Sequence, residues 1–314
     1  MDLNILDYAA IDFTMLGTKR QRPMYLSKFT RFRNYEMKME NYPKDPHAYT
    51  EYFKTEMHNW ISAHQRVQYL NLDSMPYRDA ILGTTHQLDE LHHLNGSRIA
   101  TYAGEYKYHR RLTDFAVKQI KHYSELVAGD VFVASYPSNI TTNSHPEFDL
   151  LLEHCLQHRI PVHIDGAWFG QCRNFQFDVS HPAVHSVSVS LSKALGMGSQ
   201  RIGLRYTRHR PVGPISIMND FNYCNVSDMW IGVEMMQHFG VDYWWANYEH
   251  LYTKVCQDFG LTESDSIHVG WQYDQDQNKH QIGIRTPLRF LIEGILDLRG
   301  SDQGLNEIER NERK

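Results

Sequence analysis

Lys193 sits in Val187-Ser-Val-Ser-Leu-Ser-Lys193-Ala-Leu-Gly196-Met-Gly198, inside a loop of small residues between two β-like runs, and Arg201 follows eight positions later. Placed there, an amine is a reagent that can form an imine with an aldehyde. Asp165 stands 28 residues upstream, directly after Ile160-Pro-Val-His-Ile164. A carboxylate held in a protein interior keeps a pyridine-type nitrogen protonated. Each residue alone has a plainer use, the lysine as a solvated charge and the aspartate as a cap or ion-pair partner. Their order, with Asn139 before them and Arg201 after, is what points to chemistry.

The elements that must position these groups are legible from pattern. Val131-Phe-Val-Ala-Ser135 reads as a buried strand, followed by the loop Tyr136-Pro-Ser-Asn139. A helix is expected to start near Pro146, with Phe148, Leu151, Leu152 and Cys155 on one face. Ile160 to Ile164 is a second strand. Strand, helix and strand imply parallel pairing with a right-handed crossover. Val and Ser alternate from Ser186 to Ser190, as in a strand with two differently packed faces, and Arg201 to Tyr206 reads as the next strand. Asn139, Asp165 and Lys193 each lie just beyond a strand end, where the ligand sites of open α/β sheets lie, so the three should converge. Further upstream, Met57 to Leu72 has a helix-like pattern. Gly83-Thr84-Thr85 opens a helix that Asn95-Gly96 stops, and such a start presents free N–H groups to an anion. Arg98 to Tyr102 is a strand leading into the aromatic loop Gly104-Glu-Tyr106-Lys-Tyr108-His109. After residue 210 come helix-like stretches at Met229 to Phe239 and Tyr243 to Phe259. Strands at Ser266 to Tyr273 and Gln281 to Arg285 follow, then a last helix at Leu288 to Leu298.

Composition narrows the class. A chain of 314 residues with 41% hydrophobic content can bury a large core and carry a smaller domain beside a large one. Its net charge of -5, from 37 acids and 32 bases without a basic run, gives no nucleic-acid footprint. Four dispersed cysteines without a CxxC pair read as reduced thiols, the start of the chain is acidic where a secretory signal would be basic, and no apolar run reaches membrane-span length. A cytoplasmic protein without membrane contact is expected. His86, Asp89, Glu90, His92 and His93 fit no zinc spacing, so no metal is expected.

Taken together, Asp165 and Lys193 fit pyridoxal 5'-phosphate. Asn139 is placed to donate to its phenolic oxygen, and Arg201, Ser190 and the Gly83-Thr84-Thr85 helix start are placed to share its phosphate. The pattern Ser190-x-x-Lys193-x-x-Gly196-x-x-x-x-Arg201-x-Gly203 resembles the lysine motif of the class I/II aminotransferases, the aspartate-aminotransferase-like fold-type-I pyridoxal-phosphate enzymes. Tyr136-Pro-Ser-Asn139 and Pro161-Val-His-Ile-Asp165-Gly-Ala-Trp168 fall in that family's order and at nearly its spacing; the similarity covers about residues 80 to 206. The resemblance implies that Lys193 is the Schiff-base lysine and proton shuttle, and that Asp165 is the partner of the pyridine nitrogen. It implies that Asn139 binds the phenolic oxygen, and that Ser190, Arg201 and the Thr84 region hold the phosphate. Tyr106 matches the aromatic that stacks on the ring, with Tyr102 and Tyr108 as alternatives. Arg285, in Gly283-Ile-Arg-Thr-Pro, resembles the small-domain arginine that clamps a substrate carboxylate. Two departures stand out: Ile140-Thr-Thr replaces a usual Pro-Thr-Gly, and Trp168 stands where a tyrosine is common, so an indole N–H replaces an ionisable hydroxyl.

The resemblance implies a three-layer α/β/α large domain with a mostly parallel sheet and a smaller α+β domain. Residues 1-55 would form an N-terminal arm and part of the small domain, 56-210 the cofactor domain, and 211-314 a C-terminal part including the small domain. It implies a homodimer that exchanges an amino group between an amino acid and a 2-oxo acid. A decarboxylase or lyase on the same fold is the first alternative, and a catalytically silent binding protein the second.

Overall fold

The computed structural model describes residues 24–110 and 117–294. Its strands are β1 (Val67–Leu70), β2 (Tyr77–Ile81), β3 (Ile99–Tyr102), β4 (Lys118–Ile120), β5 (Val131–Ser135), β6 (Val162–Asp165), β7 (Phe175–Asp178), β8 (Val184–Ser190), β9 (Gly203–Thr207), β10 (Thr262–Glu263), β11 (Val269–Tyr273) and β12 (Lys279–Gly283). The helices are α1 (Ser27–Arg31), α2 (Pro46–Ser62), α3 (Thr84–Asn95), α4 (Phe148–His158), α5 (Leu191–Ala194), α6 (Pro214–Asp220), α7 (Val226–Phe239), α8 (Tyr243–Asp258) and α9 (Arg285–Glu293).

Seven strands form one sheet in the order β2-β9-β8-β6-β5-β3-β4. All neighbours within it are parallel except those of β9, which runs antiparallel to both β2 and β8. Burial of both faces explains why β5 reads as an unbroken apolar run. Its alternate residues divide between two clusters. Val131 and Val133 pack with Leu88 and Leu91 of α3, whereas Phe132 and Ala134 pack with Phe148, Leu151, Leu152 and Cys155 of α4. The two helices therefore cover opposite faces, which makes the three layers. The predicted apolar face of α4 is the buried one, although the helix begins at Phe148, two residues after Pro146.

The Val–Ser alternation of β8 has the same cause. Val184, Val187 and Val189 enter the main core, while Ser186 faces α3 and accepts from Gln87 at 3.1 Å and meets His163 Nδ1 at 2.7 Å. Since side chains two apart share a strand face, Ser186, Ser188 and Ser190 of β8 and His163 and Asp165 of β6 form one polar strip beneath α3.

The expected helix over 57–72 is corrected. Helix α2 ends at Ser62, and Val67 to Leu70 is instead a strand, paired in parallel with β7 in a separate two-stranded sheet. Val67 and Tyr69 are buried and their neighbours less so; over four residues that period of two is hard to separate from a helical one. The strand expected from Arg201 starts at Gly203, because Arg201 adopts the left-handed conformation with φ 49°. A third sheet, β10-β11-β12, is antiparallel and packs against α8, which in turn packs against α9. The last helix starts at Arg285, earlier than expected, and its expected end falls outside the described residues.

Candidate active site

Three parallel strands bring the central residues together. In register, Ser135 of β5 pairs with Asp165 of β6, and Asp165 pairs with Ser188 of β8. The carboxyl ends of these strands therefore open on one rim. Asn139 lies four residues past β5, Asp165 ends β6, and Lys193 lies three past β8 in the single turn α5. Gly166 permits the close packing behind Asp165, since a β-carbon there would stand 2.6 Å from Tyr69 Oη and 2.7 Å from Ser188 O.

Burial dominates the electrostatics. It pulls Lys193 below the usual lysine range; the Asp165 carboxylate opposes that fall and Arg201 adds to it. Burial likewise raises Asp165, against the pull of Lys193, the Ala167 N–H at 2.9 Å, the Thr84 hydroxyl and Arg201. Both groups are thus moved toward their neutral forms, and each is the other's strongest charge partner. For the lysine this raises the share of free amine, the nucleophilic form.

The Lys193 ammonium nitrogen lies 5.1 Å from the ring centre of Trp168 and 6.0 Å from that of Tyr106. Tyr102 and Tyr108 are turned to other tasks: Tyr102 stacks on His145 at 4.1 Å, and Tyr108 donates to Asp89 at 2.8 Å while stacking on Tyr106. Tyr106 is therefore the tyrosine of the three that borders the lysine.

At the other end, Gly83 caps α3 with φ 74° and no side-chain cap, so its first N–H groups remain available. The guanidinium of Arg201 lies against this turn and donates to the Thr85 hydroxyl. Ser190, which precedes α5, makes no cap bond to its own helix start. Guanidinium, hydroxyls and an uncapped helix start are a donor set suited to a phosphate.

Arg285 opens α9 and comes close enough to His268 to lower its pKa, as does Lys193, which places the arginine on the same side of the molecule as the lysine. Asn139 is buried, and its backbone carbonyl accepts from Gln281 of β12 at 3.1 Å. Four buried polar atoms near the rim lack partners: Asn139 Oδ1, Gln171 Oε1, Ser192 Oγ and His268 Nδ1. Unpaired buried polar atoms in a cluster are what a polar ligand would satisfy.

Three residues of this neighbourhood escape sequence reading. Glu105 accepts from Ser135 N, Ser135 Oγ and Tyr106 N at 2.9 to 3.0 Å, and burial pushes its carboxyl up to about 7. Gln171 and His268 lie 97 positions apart and meet at 3.0 Å. Glu105 could have been suspected from its place beside Tyr106, but no spacing marks His268 among 19 histidines. Among the described residues no group of three or more His, Cys, Asp or Glu is arranged to hold a metal, and no helix is long and apolar enough to cross a membrane.

The sheet order and the single antiparallel strand give the chain a fold like that of solved pyridoxal-phosphate-dependent enzymes of fold type I. Among solved structures, the chain is similar to a Thermus thermophilus aspartate aminotransferase double mutant, with TM-score 0.57 and 12% identity over 86% of this chain and 82% of that one. It is similar to a probable N-succinyldiaminopimelate aminotransferase, also from Thermus thermophilus, with TM-score 0.57 and 13% identity over 95% of this chain and 97% of that one. It is also similar to a pyridoxal-phosphate-bound C-S lyase from Staphylococcus hominis, with TM-score 0.58 and 10% identity over 90% of this chain and 89% of that one. At such identities the likeness is one of fold. No protein-family model and no curated protein sequence matches the chain.

Proposed function

We propose that the protein is a pyridoxal-phosphate-dependent aminotransferase that exchanges an amino group between an amino acid and a 2-oxo acid. The observation that carries this reading is the pairing of buried Asp165 with half-buried Lys193 at the ends of neighbouring parallel strands, with Arg201 against the uncapped start of α3. The residues fit the group: the donor set around Gly83 suits its phosphate, and Asn139 is a buried amide whose NH2 can donate to its phenolic oxygen.

In this reading Arg201, Ser190 and the N–H groups of Thr84 and Thr85 hold the phosphate, Asn139 holds the phenolic oxygen, and Tyr106 and Trp168 border the ring. When bound, the cofactor supplies an electrophilic aldehyde carbon and an electron sink. Asp165 keeps a proton on the pyridine nitrogen; its own burial is offset once it shares that proton. Lys193, biased toward the free amine, is the base that takes the substrate's α-proton and the acid that returns it. Arg285 holds the substrate carboxylate, and its planar guanidinium suits a bidentate grip. Trp168 excludes water beside the lysine but cannot ionise.

We take the large domain to be residues 56-210, with the arm 1-55 and the C-terminal part 211-314 around it, and the active unit to be a cytoplasmic homodimer. The C-S lyases of the same fold support a second reading, a lyase, since the same proton removal serves both.

The test is direct. Purified protein mixed with the cofactor should turn yellow and, after borohydride, carry the cofactor's mass on the peptide containing Lys193; Lys193→Ala should carry none. Colourless wild-type protein that takes up no cofactor would leave only a binding scaffold. A panel of amino acids should then yield 2-oxo acid and the aminated cofactor in equal amounts. Turnover to ammonia and an oxo acid, with a thiol released from a sulfur substrate, would favour the lyase; carbon dioxide without oxo acid would favour a decarboxylase.

A further inference from the structure

Gln171 and His268 are almost completely buried, at 0% and 1% exposure, and join the segment between β6 and β7 to the residue just before β11. The Gln171 amide nitrogen lies 2.7 Å from the backbone oxygen of Lys193 and 3.0 Å from Nε2 of His268. A backbone carbonyl only accepts, so the glutamine atom facing it is the nitrogen and the amide orientation is fixed. That nitrogen has only protons to offer, so Nε2 of His268 must be the acceptor. The ring is neutral: burial, with Arg285 and Lys193 as its charged neighbours, pushes its pKa down to about 3. A neutral imidazole has one N–H, and with Nε2 accepting it resides on Nδ1.

Nδ1 is buried and has no partner. A buried donor left unpaired is costly, so the position asks for an acceptor from outside the chain. Arg285 and Lys193 both act on the ring as positive charges, and Ile284, the residue before Arg285, donates its N–H to the His268 carbonyl at 2.9 Å. Trp168 and Trp244 meet the ring edge-on at 6.2 and 5.7 Å. An N–H donor held beside an arginine and a lysine, with aromatic walls, is complementary to an anionic oxygen.

We propose that His268 donates from Nδ1 to the substrate's carboxylate, beside Arg285, and that Gln171 is the positioning residue that fixes its tautomer. This rests on the reading of the rim as an amino-acid site and adds to it a second carboxylate contact. The same glutamine bonds the Lys193 carbonyl, so the carboxylate contact and the lysine segment share one buried amide.

Nitrogen-15 NMR of histidine-labelled protein should find His268 neutral at pH 7 and protonated on Nδ1; protonation on Nε2 overturns the proposal without any variant. Binding is then measured by calorimetry on the cofactor-loaded protein for acetate, butyrate, 3-phenylpropionate and succinate, each beside its neutral amide. Wild type should prefer carboxylates. His268→Phe should weaken them about tenfold to a hundredfold, the range for a hydrogen bond to a charged group, and change amide binding less than about threefold. His268→Asn, whose side-chain N–H can stand in for Nδ1, should recover most of the loss, and Gln171→Met should lose part of it. Equal losses for acid and amide, or a wild type that prefers neither, overturn the proposal. Cofactor uptake separates the two readings: absent from wild type, it removes the proposed function, whereas normal uptake with an unselective His268 removes only this inference.

Discussion

The guanidinium of Arg201 occupies the space where a side chain on Gly83 would begin: a β-carbon built there would stand 2.8 Å from Nη2 and 3.0 Å from Cζ. Both backbones are left-handed at these positions, with φ 74° and 49°. Arginine pays a conformational cost that glycine does not, so the fold holds Arg201 there against its own preference.

Gly83→Ala should therefore cost about 1–2 kcal/mol of stability from the positive φ alone and displace the guanidinium from the helix start. Urea denaturation and cofactor titration on the same samples check both effects. A variant with unchanged affinity for the phosphorylated cofactor would detach Arg201 from the proposed phosphate site.

Arg201→Ala should reduce the preference for pyridoxal phosphate over pyridoxal. Hydrogen bonds to a charged group contribute about 1.5–3 kcal/mol each, so affinity for the phosphorylated form should fall by at least about tenfold, with unphosphorylated pyridoxal little changed. Competitive titration of the two aldehydes gives the ratio.

Glu105 should leave a mark on the pH dependence of stability. Its carboxyl is held at about 7 in the fold against an ordinary 4.5, so between these values the unfolded chain ionises while the folded one stays protonated. Stability from this group is fully present below about pH 4.5, falls as pH rises, and levels off above about pH 7. The fall amounts to about 3 kcal/mol. Glu105→Gln removes the step, so its stability relative to wild type should improve from pH 4.5 to pH 8. Denaturation series at the two pH values read the difference directly, and parallel curves would mean that Glu105 is ionised in the fold.

Lys193 should label as an unusually reactive amine. Its lowered pKa predicts that reductive methylation at pH 7.5 modifies it, in cofactor-free protein, ahead of surface lysines such as Lys279. Asp165→Asn removes the charge that opposes the lowering, so the lysine should titrate lower still. Peptide mass spectrometry across a pH series measures both, and a wild-type midpoint near 10.5 would contradict the effect of burial.

Core truncation gives the scale against which these effects are judged. Phe148 and Leu151 of α4 are buried against β5, and Leu151→Ala should cost about 2–5 kcal/mol, with no change in cofactor affinity if the site is supported mainly from the α3 face.

The sequence by itself determined the elements whose pattern is local and strong. The apolar run of β5, the buried face of α4 and the Val–Ser alternation of β8 follow from which face each residue must hide. The Ser190-to-Gly203 spacing marked Lys193 and Arg201 as the candidate lysine and its candidate phosphate partner. It also placed Asn139, Asp165 and Lys193 at strand ends, because a strand end is readable wherever an apolar run meets a turn. What it left undecided depends on groups far apart in the chain. Val67 to Leu70 is a strand only because β7, over a hundred residues later, offers it a partner. Tyr106 is distinguished from Tyr102 and Tyr108 by the neighbours each ring meets, His145 for one and Asp89 for another, and no spacing records them. The tautomer of His268 is set by Gln171, and the acidity of Glu105 by its burial against Ser135. Protonation follows from solvation and from charges brought close in space, and only the closed tertiary structure supplies both.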